Sequence, residues 1–134
     1  MDFGGFVRDS LSVLETETPR FAARLAAALE GLPLQLRVDG PALSLRSDGR
    51  RIEVVPSAGL HPVDLETSGG EVLSLLEGRS SLLSSVLEGR LRLRGSAEDL
   101  VAFHDALMIY LGAAVRAPGF VALRDRFRSE VKED

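Results

Sequence analysis

Few residues in this chain have the type and spacing to do chemistry. His104 and Asp105 are its only neighbouring histidine and acid. Adjacent helical positions point about 100° apart, so neither side chain can orient the other as a nucleophile-activating triad requires. The sequence has no Gly-x-Ser-x-Gly elbow, and its serines read as helix caps and solvated positions. Ser68-Gly69-Gly70 stands where a helix N-terminus could receive an anion, but no phosphate-loop lysine follows and Glu71 would repel one. A cap is the better reading. Cysteine is absent, which removes disulfides, thiolate catalysis and Cys-ligated metals. The sequence therefore predicts no catalytic residue, no metal site and no cofactor: a protein that is not an enzyme.

Charge narrows the partners. Lys and Arg number 16 against 20 Asp and Glu, a net charge of -4, and neither half is basic enough for nucleic acid. Arg90, Arg92 and Arg94 share one strand face at a spacing of about 6.6 Å. Such a stripe could meet anionic headgroups or an acidic partner, but a solvated outer face is the better reading. Residues 116–134 carry five cations against four anions, so attraction to a membrane surface would be weak. The longest uncharged apolar run, Ala106 to Val115, is ten residues, against about 20 for a transmembrane helix. With no targeting pattern at either end, the cytoplasm is the expected location. Fifteen Arg to one Lys, and no Asn, fit a GC-rich bacterial coding sequence.

The elements that must position any site follow from composition and periodicity. At 134 residues and 45% hydrophobic, one folded domain is expected. The chain has 23 Leu, six Phe, one Tyr and no Trp, so the interior is aliphatic and suits either ordinary packing or a cavity for an oily ligand. Phe3, Phe6, Val7, Leu11 and Leu14 repeat at helical spacing, with Gly4 and Gly5 weakening the start. Thr18-Pro19 reads as an N-cap and first helical position for a second helix ending at Gly31. The period then falls to two. Alternating runs at 32–38, 43–46 and 51–54, separated by Asp39-Gly40 and Asp48-Gly49, predict a three-stranded antiparallel meander. A fourth strand covers 63–66. Two short helices end at Gly78 and Gly89, a fifth strand covers 90–94, and Ser96 with Asp99 caps a long helix. That helix shows one stripe, Leu100, Phe103, Leu107, Leu111 and Ala114, and a second line, Val101, Met108 and Val115, so it is expected to be covered on two sides. After Ala117-Pro118-Gly119 a last amphipathic helix carries Phe120, Leu123, Phe127 and Val131 and could serve as a lid.

The order of these elements, with Val63-Asp64-Leu65-Glu66, Leu73-Ser74-Leu75-Leu76-Glu77-Gly78 and Gly89-Arg90-Leu91-Arg92-Leu93-Arg94-Gly95, resembles the sterol carrier protein 2 family of lipid-binding domains. Arginine stands where that family's Gly-Lys-Leu-Lys-x-x-Gly strand has lysine. The resemblance spans roughly Phe21 to Leu111. It implies an α+β fold, a five-stranded mixed sheet covered on one face by helices, with residues 18–134 as the lipid-binding domain and 1–17 as an added N-terminal helix. It further implies a tunnel between sheet and helices. Its walls would be Leu34, Leu36, Leu43 and Leu45 of the sheet, Leu73, Leu76, Leu83 and Val86 of the short helices, and Phe103, Leu107, Tyr110 and Leu111 of the long helix. Non-catalytic carriage of a fatty acyl, prenyl or sterol-like molecule is the expected function. The alternative is an interaction or accessory protein of a lipid or quinone pathway, its core filled, that docks a partner or forms a homodimer through Val101, Met108 and Val115.

Overall fold

The computed structural model of the chain describes residues 2–57 and 59–133. Among them the order is α1 (Phe3–Glu17), α2 (Pro19–Ala28), β1 (Leu34–Val38), β2 (Leu43–Ser47), β3 (Ile52–Pro56), β4 (Val63–Thr67), α3 (Gly69–Leu76), α4 (Leu82–Leu87), β5 (Leu91–Arg94), α5 (Ala97–Ala114) and α6 (Pro118–Glu133). The sheet order is β3-β2-β1-β4-β5. The meander β1 to β3 is antiparallel, β4 lies parallel to β1, and β5 returns antiparallel to β4. This is the mixed five-stranded α+β arrangement expected from the sequence.

Local chemistry fixes the ends of these elements. Asp48 accepts hydrogen bonds from the backbone N–H groups of Arg50 and Arg51, each at 2.8 Å, which closes the β2–β3 turn and holds its carboxyl below the usual carboxylate range. Gly78 and Gly89 follow α3 and α4 with φ of 74° and 76°, left-handed backbone that costs glycine nothing. Ser96 caps α5 by accepting from Asp99 N–H at 3.1 Å.

Some details differ from the sequence reading, for physical reasons. The start of α1 is capped: the Asp2 carboxylate accepts from Gly5 N–H at 2.9 Å. At Gly4 a Cβ would sit 3.3 Å from a methyl of Leu43, so the missing side chain lets β2 approach the helix. Thr18 does not cap α2 with its hydroxyl, which donates back to the Leu14 carbonyl at 3.0 Å. Only half of the box at Ser68 forms. Ser68 accepts from Glu71 N–H at 3.2 Å, while the Glu71 carboxylate turns inward to Ser85 and Arg90. The outer sheet face is also less wet than alternation suggests. Gln35 and Ser44 are buried there, where Ser57 donates to Gln35 at 2.8 Å and Ser44 meets His61 Nε2 at 3.0 Å.

The second line of α5 is not covered. Val101, Met108 and Val115 are 61%, 46% and 77% exposed, because α2 and the sheet take up the opposite side of the helix. The last helix is packed rather than free: Phe120 and Phe127 are buried with Phe6, Val7 and Leu14 of α1.

Candidate functional site

Between the inner sheet face and the helices lies a cavity of about 150 Å³. Each strand contributes to it through period two: Leu34, Leu36 and Val38 from β1, Leu45 from β2, Ile52 from β3, Leu65 from β4 and Leu91 from β5. The helices close it with Val72, Leu75 and Leu76 of α3, Leu82 of α4, and Phe103, Ala106, Leu107, Tyr110 and Leu111 of α5. From the N-terminal side come Phe3, Phe6, Val7 and Leu11 of α1, and Leu25 and Leu29.

Eight of the twelve wall positions expected from the sequence line this space: Leu34, Leu36, Leu45, Leu76, Phe103, Leu107, Tyr110 and Leu111. Four are placed elsewhere. Leu43 packs over Gly4 of α1. Leu73 is buried in the cluster around Phe6 and Phe127. Leu83 and Val86 face outward, 69% and 37% exposed. The reason lies in the Ser81 cap, which sets the rotation of α4 so that Leu82 and Ser85 point inward. Ser85 is then held there by donating to Glu71 at 2.5 Å, and three-residue spacing leaves Leu83 and Val86 on the other side. The α1 and α2 contributions were missed, although their signal was present in the helical repeats Phe3, Phe6, Val7 and Leu11 of α1 and Phe21, Leu25, Ala28 and Leu29 at α2.

The lining is almost free of polar groups. Among the described residues, Thr67 and Tyr110 are the two lining residues with a polar side-chain atom, and both hydroxyls are occupied within the protein. Thr67 donates to the Arg90 carbonyl at 2.8 Å. Tyr110 donates to Ser10 at 2.8 Å, and Ser10 donates in turn to the Val7 carbonyl at 2.8 Å. Burial pushes the Tyr110 phenol up to about 12, against the opposing hydrogen bond to Ser10. Such a wall can bury hydrocarbon.

The charged groups considered for chemistry lie outside the cavity. His104 Nδ1 and Asp105 Oδ1 are 3.7 Å apart on the surface, both side chains more than half exposed. Within the arginine stripe, Arg90 turns to Glu71 at 3.0 Å, while Arg92 and Arg94 stand opposite Glu66 and Asp64 of β4. Desolvation raises the Glu71 carboxyl, but hydrogen bonds from Ser85, Arg90 and Ser80 outweigh it and hold the group below its ordinary value. Among the described residues no single helix is long and apolar enough to cross a membrane.

No family model and no curated protein matches the chain. Solved structures do. A "UbiJ-SCP2 Ubiquinone synthesis protein" superposes with a TM-score of 0.57 at 22% identity, over 76% of this chain and 85% of that one. The sterol carrier protein domain 2 of Helicoverpa armigera gives 0.62 at 13% identity, over 81% and 87%. A conserved hypothetical protein of Thermus thermophilus, described as possibly a sterol carrier protein, gives 0.53 at 22%, over 78% and 82%.

Proposed function

In a chain with the sterol carrier protein 2 fold, we propose that the cavity encloses the hydrocarbon part of an apolar molecule, a fatty acyl chain, a prenyl lipid or a sterol-like compound, and that the protein carries it without catalysis. The observation behind this reading is the wall itself, apolar throughout except for two hydroxyls already hydrogen-bonded within the protein. A carboxylate or free hydroxyl buried there would lack a partner and cost a few kcal/mol. The guest therefore enters tail first, with its headgroup left in water. Each methylene buried contributes about 0.8 kcal/mol. A cavity of about 150 Å³ lined by such side chains takes a molecule the size of benzene. A longer tail therefore requires the covering helices to move, α1 first, since Phe3, Phe6, Val7 and Leu11 form that part of the wall. Residues 18–134 are then the carrier domain and residues 1–17 an added helix that completes its wall. The cysteine-free composition supports service in the cytoplasm.

Native mass spectrometry of gently purified protein, followed by lipid extraction and titration with a fluorescent fatty acid, tests the proposal. A bound lipid, or a fluorescence shift displaced by longer-chain competitors in preference to shorter ones, is expected. Protein that is empty and leaves the probe unshifted overturns it. The second reading, an accessory protein of a quinone pathway with a filled core, draws on the small size of the cavity and on the name of the ubiquinone synthesis neighbour. It predicts a folded protein that takes no tail of any length.

A further inference from the structure

The outward line of α5 has a geometry that selects its partner. Phe103, Ala106, Ala113 and Ala114 face the interior, while Val101, Met108 and Val115 stand exposed on the other side. Seven residues of helix rise about 10.5 Å, so the three sites form a line about 21 Å long. Met108 lies midway, seven residues from each valine. We infer that this line is the contact between two copies of the chain, α5 against α5, antiparallel about a two-fold axis at Met108.

Three observations favour a second copy over any other occupant. The spacing is its own complement: a two-fold axis at Met108 brings Met108 against Met108 and Val101 against Val115 of the second copy, the isologous arrangement of symmetric dimers. Charge selects the direction. Beside the line, the first half of α5 carries Glu98 and Asp105, and its far end carries Arg116, whose guanidinium donates to the Gly112 carbonyl at 2.8 Å and lies over the Phe21 ring at 5.0 Å, exposed next to Val115. Antiparallel pairing therefore sets the acidic half of one helix against the basic end of the other and opposes their dipoles, whereas parallel pairing sets acid against acid. The same acidic residues oppose an anionic lipid surface. One helix pair buries less than the roughly 1,200 Å² of a standard interface, so association in the micromolar range is expected.

The chain has no cysteine, which permits a clean test by single-cysteine variants under mild oxidation. Met108→Cys should give a covalent dimer by itself. Val101→Cys alone and Val115→Cys alone should not, because each lies far from its own copy in this register, yet an equal mixture of the two should cross-link, Val101→Cys to Val115→Cys. Sedimentation equilibrium of the unmodified protein should show a mass rising with concentration from 14.4 kDa toward twice that. Met108→Glu should weaken the association at least tenfold, with an unchanged circular dichroism spectrum, since the side chain is already half in water; Val115→Glu provides a second check. A monomer at every concentration overturns the inference, as does cross-linking of Val101→Cys with itself. Binding of the monomer to vesicles of equimolar phosphatidylglycerol and phosphatidylcholine, lost in Met108→Glu, would assign the line to a membrane and overturn it equally.

Discussion

The molecule has two interiors of different make. Between sheet and helices the contacts are aliphatic, with Leu25, Leu29, Leu34, Val63, Leu65, Leu82 and Leu91 around the single phenylalanine Phe103; this side supplies most of the cavity wall, which Phe3, Phe6 and Val7 of the second interior complete. Where α1, α5 and α6 meet, the contacts are rings. Phe6 lies 4.6 Å from Phe127 between centroids, Phe3 and Phe127 meet edge to face at 6.3 Å, and Phe120 meets Phe6 and Tyr110 the same way at 6.1 and 6.0 Å. Five of the six phenylalanines belong to this second cluster. Aromatic pairs contribute about 0.5–1.5 kcal/mol beyond the area they bury, and their geometry is directional. Leucine carries no such directional requirement. The difference separates two tasks: the ring cluster holds α1 and α6 to each other, so that they close over the cavity as a unit, and the aliphatic side keeps a space whose shape can change.

The largest effect that tests this division is Phe127→Ala. Phe127 is 1% exposed in a cluster that also draws on α1, α3 and α5, so its loss should cost about 3–5 kcal/mol in urea unfolding. Leu107→Ala, at the wall of an existing void, removes a side chain that already lacks part of its contacts and should cost about 2 kcal/mol, the low end for such changes. Equal losses at the two sites would erase the distinction between the interiors. The opposite change sharpens it: Leu107→Phe should fill the cavity, alter stability by less than about 1 kcal/mol, and reduce binding of a fluorescent fatty acid at least tenfold.

How much of this was legible in the sequence depends on which period carried the information. The sheet positions Leu34, Leu36 and Leu45 and the α5 positions Phe103, Leu107 and Leu111 were readable because a strand of period two and a long helix each have one buried side. In α4, six residues long, the apolar positions outnumber those that can face inward. A buried polar group decides between them, because Ser85 goes to Glu71 and Leu83 goes to water. No periodicity states that choice. The same holds for the α1 wall: the repeat showed a helix, but only the packing of Phe6 against Phe120 and Phe127 shows where its apolar side goes.

The Glu71 link ties α3 to α4 and β5 on the aliphatic side, and its effect should be smaller and pH-dependent. Its carboxyl is held below the usual glutamate value of 4.5, so the folded state binds its proton less readily than the unfolded chain does. The contribution is fully present above that value and is lost as pH falls through the folded one. Glu71→Gln should cost about 1–2 kcal/mol at neutral pH and should flatten the acid side of a stability profile. A variant whose profile below pH 4.5 runs parallel to that of the unmodified protein would remove Glu71 from the account.

Tyr110 belongs to both interiors, lining the cavity while its ring meets Phe120, and it reports whether they stay dry together. Its folded value is pushed up from 10.0 to about 12, so the stability it contributes is complete below pH 10 and is lost as pH rises toward 12. The chain has one tyrosine and one lysine against 15 arginines, which leaves little else to titrate in that window. Phenolate absorbance should therefore show a midpoint near 12 in the folded protein, and a midpoint near 10 would mean that water reaches the phenol through an open wall. Tyr110→Phe should abolish the alkaline loss and cost only about 1 kcal/mol at neutral pH, because Ser10 keeps its bond to the Val7 carbonyl. A much larger neutral-pH loss would mean that the hydroxyl pair, rather than the rings, holds α1 against α5.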